Sequence, residues 1–200
     1  MRLSGFQKIL WGLASIALLA FAAFQITGTR TNQDAATRDP AFRAAFKLTD
    51  HRGMVQTEED FSGRWMLIFF GFANCPDVCP TTLSEVAVVM ERLGTEADKV
   101  QPIFISIDPQ RDTPAALAQF VPLFDADIIG LTGTTEQIAE TAGHFPIYFE
   151  RLEETTAPDG YTVSHTSHLF LFGPEADFVT SWAYGTTAEE ILADLRLWTH

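Results

Sequence analysis

Apolar side chains fall in two kinds of block along this chain. Some are short unbroken runs; in others, apolar residues recur every three or four positions. Residues 64–72, RWMLIFFGF, form a short apolar run with a glycine, Gly71, near its end, as a fully buried strand would. Leu83, Val86, Ala87, Met90 and Leu93 then keep helical spacing, with Gly94 as a stop signal. Residues 102–108, PIFISID, read as a second buried strand. Thr113 as N-cap and Pro114 at the first helical position open a helix in DTPAALAQFVPLF. TTEQIAETAG gives another short helix that ends near Gly143. Residues 168–185, HLFLFGPEADFVTSWAYG, read as two strands around a Gly-Pro-Glu-Ala-Asp turn. In the closing segment Thr186 and Glu189 form a capping box for a last helix, whose apolar face is Ile191, Leu192, Leu195 and Trp198.

Strand, helix, strand, helix, then a hairpin and a last helix is an order that implies parallel strands joined by crossover helices. The hairpin adds antiparallel strands to the same sheet. The expected fold is therefore α/β and thioredoxin-like, a central mixed sheet flanked by helices. Ligands in open α/β sheets gather at the carboxyl ends of the strands. The first strand-to-helix junction carries Cys75 and Cys79, the only two cysteines of the 200-residue chain.

The first forty residues follow another pattern. Ile9–Ile26 is an uncharged apolar run preceded by Arg2 and Lys8. Its 18 residues reach the lower limit for a membrane-spanning helix. The basic residues before it place the N-terminus in the cytoplasm and the remainder on the exported, periplasmic side. A cleaved signal peptide is the rival reading, because Ala20-Phe21-Ala22 has the form that signal peptidase accepts. Residues 28–40 are polar, lack periodicity and read as a linker. The organisation is thus an anchor or signal segment at 1–27, a linker at 28–40 and one domain at 41–200.

From residue 41 onward there are 24 acidic side chains against 9 basic ones, a net of −15. Nucleic acid is excluded as a partner, since its phosphates demand a basic face. Solubility explains the charge; steering toward a basic partner surface is the other reading.

Each cysteine is followed by a proline, which disfavours helix at the residue before it. Cys75 and Cys79 are therefore expected outside helix, with Pro80 at the first helical position and Cys79 near the N-cap, where the helix dipole favours a thiolate. The expected unit is a small exposed loop with two activated sulfurs. Three readings stand. A structural disulfide would close only a tiny loop. A redox-active dithiol has closer precedent in Cys-x-x-Cys, one residue tighter. A soft-metal site suits Cu(I), whereas zinc in a closed structural site wants four ligands. Spacing alone does not separate redox from metal. Of the histidines, His51 and His200 are expected at the surface and His144 at a helix end. His165 and His168, three apart in one extended segment, point to opposite faces, so only one can meet the cysteines.

GFANCPDVCPTTLSE, SIDPQRDTP, IIGLTGTTEQI and YTVSHTSHLFLFGP, in that order, resemble the characteristic segments of the Sco/SenC family over roughly residues 44–198. The resemblance implies a thioredoxin-like fold that binds copper, as Cu(I) and Cu(II), through two cysteines and one histidine. Carried over by motif, the ligands are Cys75, Cys79 and His165; the family spacing to Pro174 selects His165 over His168. The resemblance further implies copper received from a donor protein and delivered to the binuclear site on subunit II of cytochrome c oxidase. Its alternatives are reduction of that subunit's cysteines by Cys75 and Cys79 as a redox-active pair, and a copper-linked redox sensor. Asp108 matches an acidic residue near the family's site, with two readings: a partner that orients His165, or a cap of its own turn. Ser164 stands where the family usually has Asp.

Overall fold

The computed structural model describes residues 42–199. The expected anchor at 1–27 and linker at 28–40 lie outside the described residues, as does His200. Among the described residues no helix is long and apolar enough to cross a membrane.

The strands are β1 (Lys47–Asp50), β2 (Val55–Thr57), β3 (Trp65–Gly71), β4 (Val100–Ser106), β5 (Ile129–Thr132), β6 (Phe149–Glu153), β7 (Tyr161–His165), β8 (His168–Phe172) and β9 (Phe178–Ala183). The helices are α1 (Val78–Leu93), α2 (Pro114–Phe120), α3 (Thr135–Gly143) and α4 (Ala188–Thr199). Seven strands form one sheet in the order β2-β1-β5-β4-β3-β8-β9, and β6-β7 form a separate ribbon. β4 runs parallel to β3 and β5, while β8 is antiparallel to both β3 and β9. The β4-β3-β8-β9 core with its helices is the expected thioredoxin-like arrangement.

Local chemistry explains most elements. β4 is buried throughout and β3 is buried from Met66 onward, as central strands covered on both faces should be. Phe69, Phe70, Phe104 and Phe172 are among the largest fully buried side chains and stand at the heart of the core. Thr113 caps α2 with Pro114 behind it, and Pro122 limits that helix to Phe120, with a 3₁₀ turn beyond. Thr134 and Gln137 close a capping box on α3.

Three expectations change. The β1-β2 hairpin and the β6-β7 ribbon add strands that the alternation of long blocks did not suggest. The capping box of α4 is Thr187 with Glu190, one residue on from Thr186 and Glu189. Thr186 instead donates its hydroxyl to the Ala183 carbonyl and closes the turn after β9, which leaves Thr187 to cap the helix. Cys79 also lies inside α1, as its second residue, with Asp77 at the N-cap. Pro80 stands in the first turn, where a missing N–H leaves no helical bond unmade.

Candidate metal centre

The carboxyl end of β3 delivers the chain into a tight loop. Cys75 N–H donates to the Phe72 carbonyl at 3.1 Å and Ala73 N–H to the Asp112 carboxylate at 2.9 Å. The Asp77 carbonyl accepts the Thr81 N–H, and α1 begins. Cys75 thus sits half-buried in the loop and Cys79 fully buried in the first helical turn. Gly71 makes room for that burial: a Cβ there would lie 2.7 Å from Cys79 Sγ and 3.0 Å from Phe104 Cε2. His165, the last residue of β7, comes in from the ribbon and packs edge-on against Phe69 and Phe72.

The ligand atoms of Cys75, Cys79 and His165 all lie within 4.8 Å of one another, and this is the metal-type group among the described residues. Two sulfurs bound to one metal at about 2.3 Å each can be no more than about 4.6 Å apart, so the donors need only slight tightening to share an ion. Cys79 Sγ lies 3.7 Å from His165 Nε2. His165 Nδ1 lies 3.0 Å from the Thr166 carbonyl. A carbonyl only accepts, so Nδ1 carries a proton, and Nε2 is the nitrogen turned toward the sulfurs, the one a metal would take.

The two thiols are not alike. The Cys79 thiol donates to Cys75; that bond, opposed by burial and helped by His165 and the Cys79 N–H, lowers the Cys75 pKa to about 4. Cys79 is pushed well above the ordinary thiol range, by its bond to Cys75 first, then by burial and the Cys75 charge. One proton therefore serves the pair and stays on Cys79. This corrects the expectation of two activated sulfurs in an exposed loop: the hydrogen bond between the sulfurs makes one a thiolate and the other, buried in the helix, its proton donor.

The remaining candidates separate. Asp108 makes no direct hydrogen bond to His165. Its carboxylate accepts from the Tyr161 hydroxyl at 2.9 Å and pairs with Arg111, while its backbone carbonyl accepts from Arg111 and Asp112 N–H, the turn-closing role. His168 opens β8 in the main sheet, and the chain turns between it and His165, so the two are not alternate residues of one strand. His144 is the C-cap of α3. His51 is half-buried rather than at the surface, because its Nδ1 accepts the Gly130 N–H at 3.2 Å. Ser164 is exposed, opposite Glu150 in the ribbon.

Sequence reasoning missed Asp112. It is 1% exposed, accepts from Ser106 Oγ at 2.6 Å as well as from Ala73, and ties the cysteine loop to the end of β4. Burial raises its carboxyl above the usual range, against the pull of those two bonds. The one available signal was a second Asp four residues after Asp108, directly beyond a buried strand. A crevice of about 310 Å³ is lined by Asn74 and Pro76, the chain neighbours of Cys75, together with Glu154, Tyr161 and Thr162.

Fold and donor set together define a thioredoxin-like domain with a Cys-x-x-x-Cys pair and a histidine brought in from a separate ribbon. The chain belongs to the SCO1/SenC family, whose family model matches residues 34–200. It is 37% identical over 183 residues to the Bos taurus protein named Protein SCO2 homolog, mitochondrial, covering 90% of this chain and 68% of that one. It is 37% identical over 158 residues to the Homo sapiens Protein SCO1 homolog, mitochondrial, covering 78% and 52% respectively. The chain thus spans about half to two thirds of these relatives' lengths. Among solved structures it resembles copper-bound ScoI of Bradyrhizobium japonicum, with TM-score 0.71 and 38% identity over 78% of this chain and 99% of that one.

Proposed function

We propose that this protein is a copper-binding metallochaperone, held in the membrane by its N-terminal segment with its domain on the periplasmic side. It takes copper from a donor protein and passes it to the binuclear copper site on subunit II of cytochrome c oxidase. The ligands are Cys75, Cys79 and His165. The observation that carries this reading is their convergence: a thiolate, a thiol and an imidazole from three elements, all within 4.8 Å. Two soft sulfurs favour Cu(I), and the imidazole lets the same site hold Cu(II). The copper-bound ScoI relative supports the choice of metal. The partial exposure of Cys75, whose chain neighbours Asn74 and Pro76 line a crevice, suits transfer by ligand exchange.

A second reading is favoured by one observation. A Cys75 pKa of about 4 next to a proton-bearing Cys79 is also the arrangement of a thiol–disulfide reductase. One titration separates the two. The reduced full chain receives Cu(II) anaerobically while the visible spectrum and stoichiometry are recorded, alongside His165→Ala and His168→Ala. The chaperone site gives one tightly held copper with intense thiolate-to-copper absorption, weakened in His165→Ala alone. The reductase reading gives a Cys75–Cys79 disulfide and two released Cu(I), one electron from each sulfur to each metal, with neither histidine mattering.

A further inference from the structure

Resting on the copper-site reading, we propose that Arg111 is a positioning residue: it holds strand β7, and through it His165, at ligand distance from the cysteine pair. The β6-β7 ribbon is a sheet of its own, so no ladder of strand hydrogen bonds fixes its distance from β3 and the cysteine loop. Side chains do that instead. The Arg111 guanidinium carbon lies 3.8 Å from the centre of the Tyr161 ring, at the start of β7. Its Nη1 donates to the Tyr161 carbonyl at 3.3 Å. Arg151 lies 3.7 Å from the same ring centre, and two guanidiniums cannot share one face at that distance, so the ring is sandwiched. Asp108 completes the clamp by accepting from both Tyr161 Oη and Arg111 Nε. On its other side Arg111 lies 5.8 Å from the centre of the Phe72 ring, and the Phe72 carbonyl holds the Cys75 N–H.

Arg111 therefore spans the gap between the two ligand-bearing segments. Tyr161 and His165 are four residues apart on one strand, about 13 Å. Movement at the clamped end is carried to the imidazole. The cysteine side is fastened independently, by Asp112 on Ala73. Loosening Arg111 should displace the imidazole and leave the sulfurs in place. Cu(I) is satisfied by two thiolates, whereas Cu(II) needs the nitrogen. The effect should thus depend on oxidation state, which a general loss of stability would not produce.

The test measures Cu(I) and Cu(II) dissociation constants for the full chain by competition with chelators, and the Cu(II) electron paramagnetic resonance spectrum. The variants are Arg111→Lys, Arg151→Ala, Asp112→Asn and His165→Ala. Lys keeps the charge but not the planar stack. Arg111→Lys is expected to weaken Cu(II) binding about tenfold, with loss of nitrogen hyperfine structure, and to change Cu(I) binding less than about threefold. Arg151→Ala, a milder exposed change, should show the same split at about threefold. Asp112→Asn should weaken both ions alike. Equal losses for both ions in Arg111→Lys and Arg151→Ala, or unchanged Cu(II) binding in both, overturns the proposal. If His165→Ala binds Cu(II) as the natural protein does, the copper-site reading itself has failed and the positioning role falls with it.

Discussion

At the scale of single residues, environment decides chemistry. Cys75 and Cys79 are the same side chain four positions apart, yet the first holds its charge and the second its proton. Iodoacetamide should therefore alkylate Cys75 at a rate that stays flat from neutral pH down to about 5 and falls as pH drops through about 4. Cys79 should react far more slowly throughout, as peptide mapping will show. Gly71→Ala tests how closely Cys79 is held. Its methyl group would press on the sulfur and two phenyl rings, so stability should fall by about 1–3 kcal/mol and Cu(I) affinity with it, seen by denaturant titration and chelator competition. Asp50 shows the reverse case of a buried acid. Burial raises its pKa, but hydrogen bonds from the Met54 and Arg52 N–H groups, the Arg52 guanidinium and Gln56 outweigh it and hold the group below the usual carboxylate range. Its contribution is full above the unfolded-state value near 4 and is lost as pH falls through the lowered one. Asp50→Asn should cost about 2–3 kcal/mol at neutral pH and flatten the acid limb of the stability curve.

At the scale of elements, the strongly periodic segments were legible. β3, β4, α1 and the β8-β9 hairpin carry long apolar signals, and the caps of α2 and α3 lie where their threonines and Pro114 put them. The short hairpin β1-β2 and the ribbon β6-β7 were not legible, because their stability comes from partners distant in sequence. β1 leans on β5, and β7 on Tyr161, Val163 and the side-chain clamp. Thr186 and Thr187 both satisfied the capping pattern of α4, and only the turn after β9 chose between them. Thr187→Ala should accordingly lower stability by about 1 kcal/mol and Thr186→Ala by clearly less, in parallel thermal melts. The cysteine motif was visible as chemistry. The asymmetry within it was not, since it depends on how closely the two sulfurs are brought together and on the space left for Cys79 at Gly71, which spacing alone does not show.

At the scale of the whole molecule, the site exists in full only when the fold does. Residues 75, 79 and 165 come from a loop, a helix and a separate ribbon. A ligand that binds only the folded state at 1,000 times its dissociation constant adds about 4 kcal/mol of stability. Cu(II), which relies on the imidazole, should approach that figure. Cu(I) should fall short of it, because the two thiols remain four residues apart in the unfolded chain and still bind. Denaturant unfolding with each ion, at equal multiples of its own native dissociation constant, measures the gap. The surplus of 15 negative charges from residue 41 onward adds a kinetic expectation: association with a basic partner surface should slow as salt rises, in stopped-flow mixing.

The burial of Cys79 also imposes an order of events on any hand-over of copper. An acceptor approaching through solvent meets Cys75 and the imidazole first and the helix-held sulfur last. The final bond to break is then the one on the sulfur that most needs a proton. Letting go of the cargo becomes a proton-consuming step, so the acidity of the compartment bears on when the metal leaves as well as on how tightly it is held.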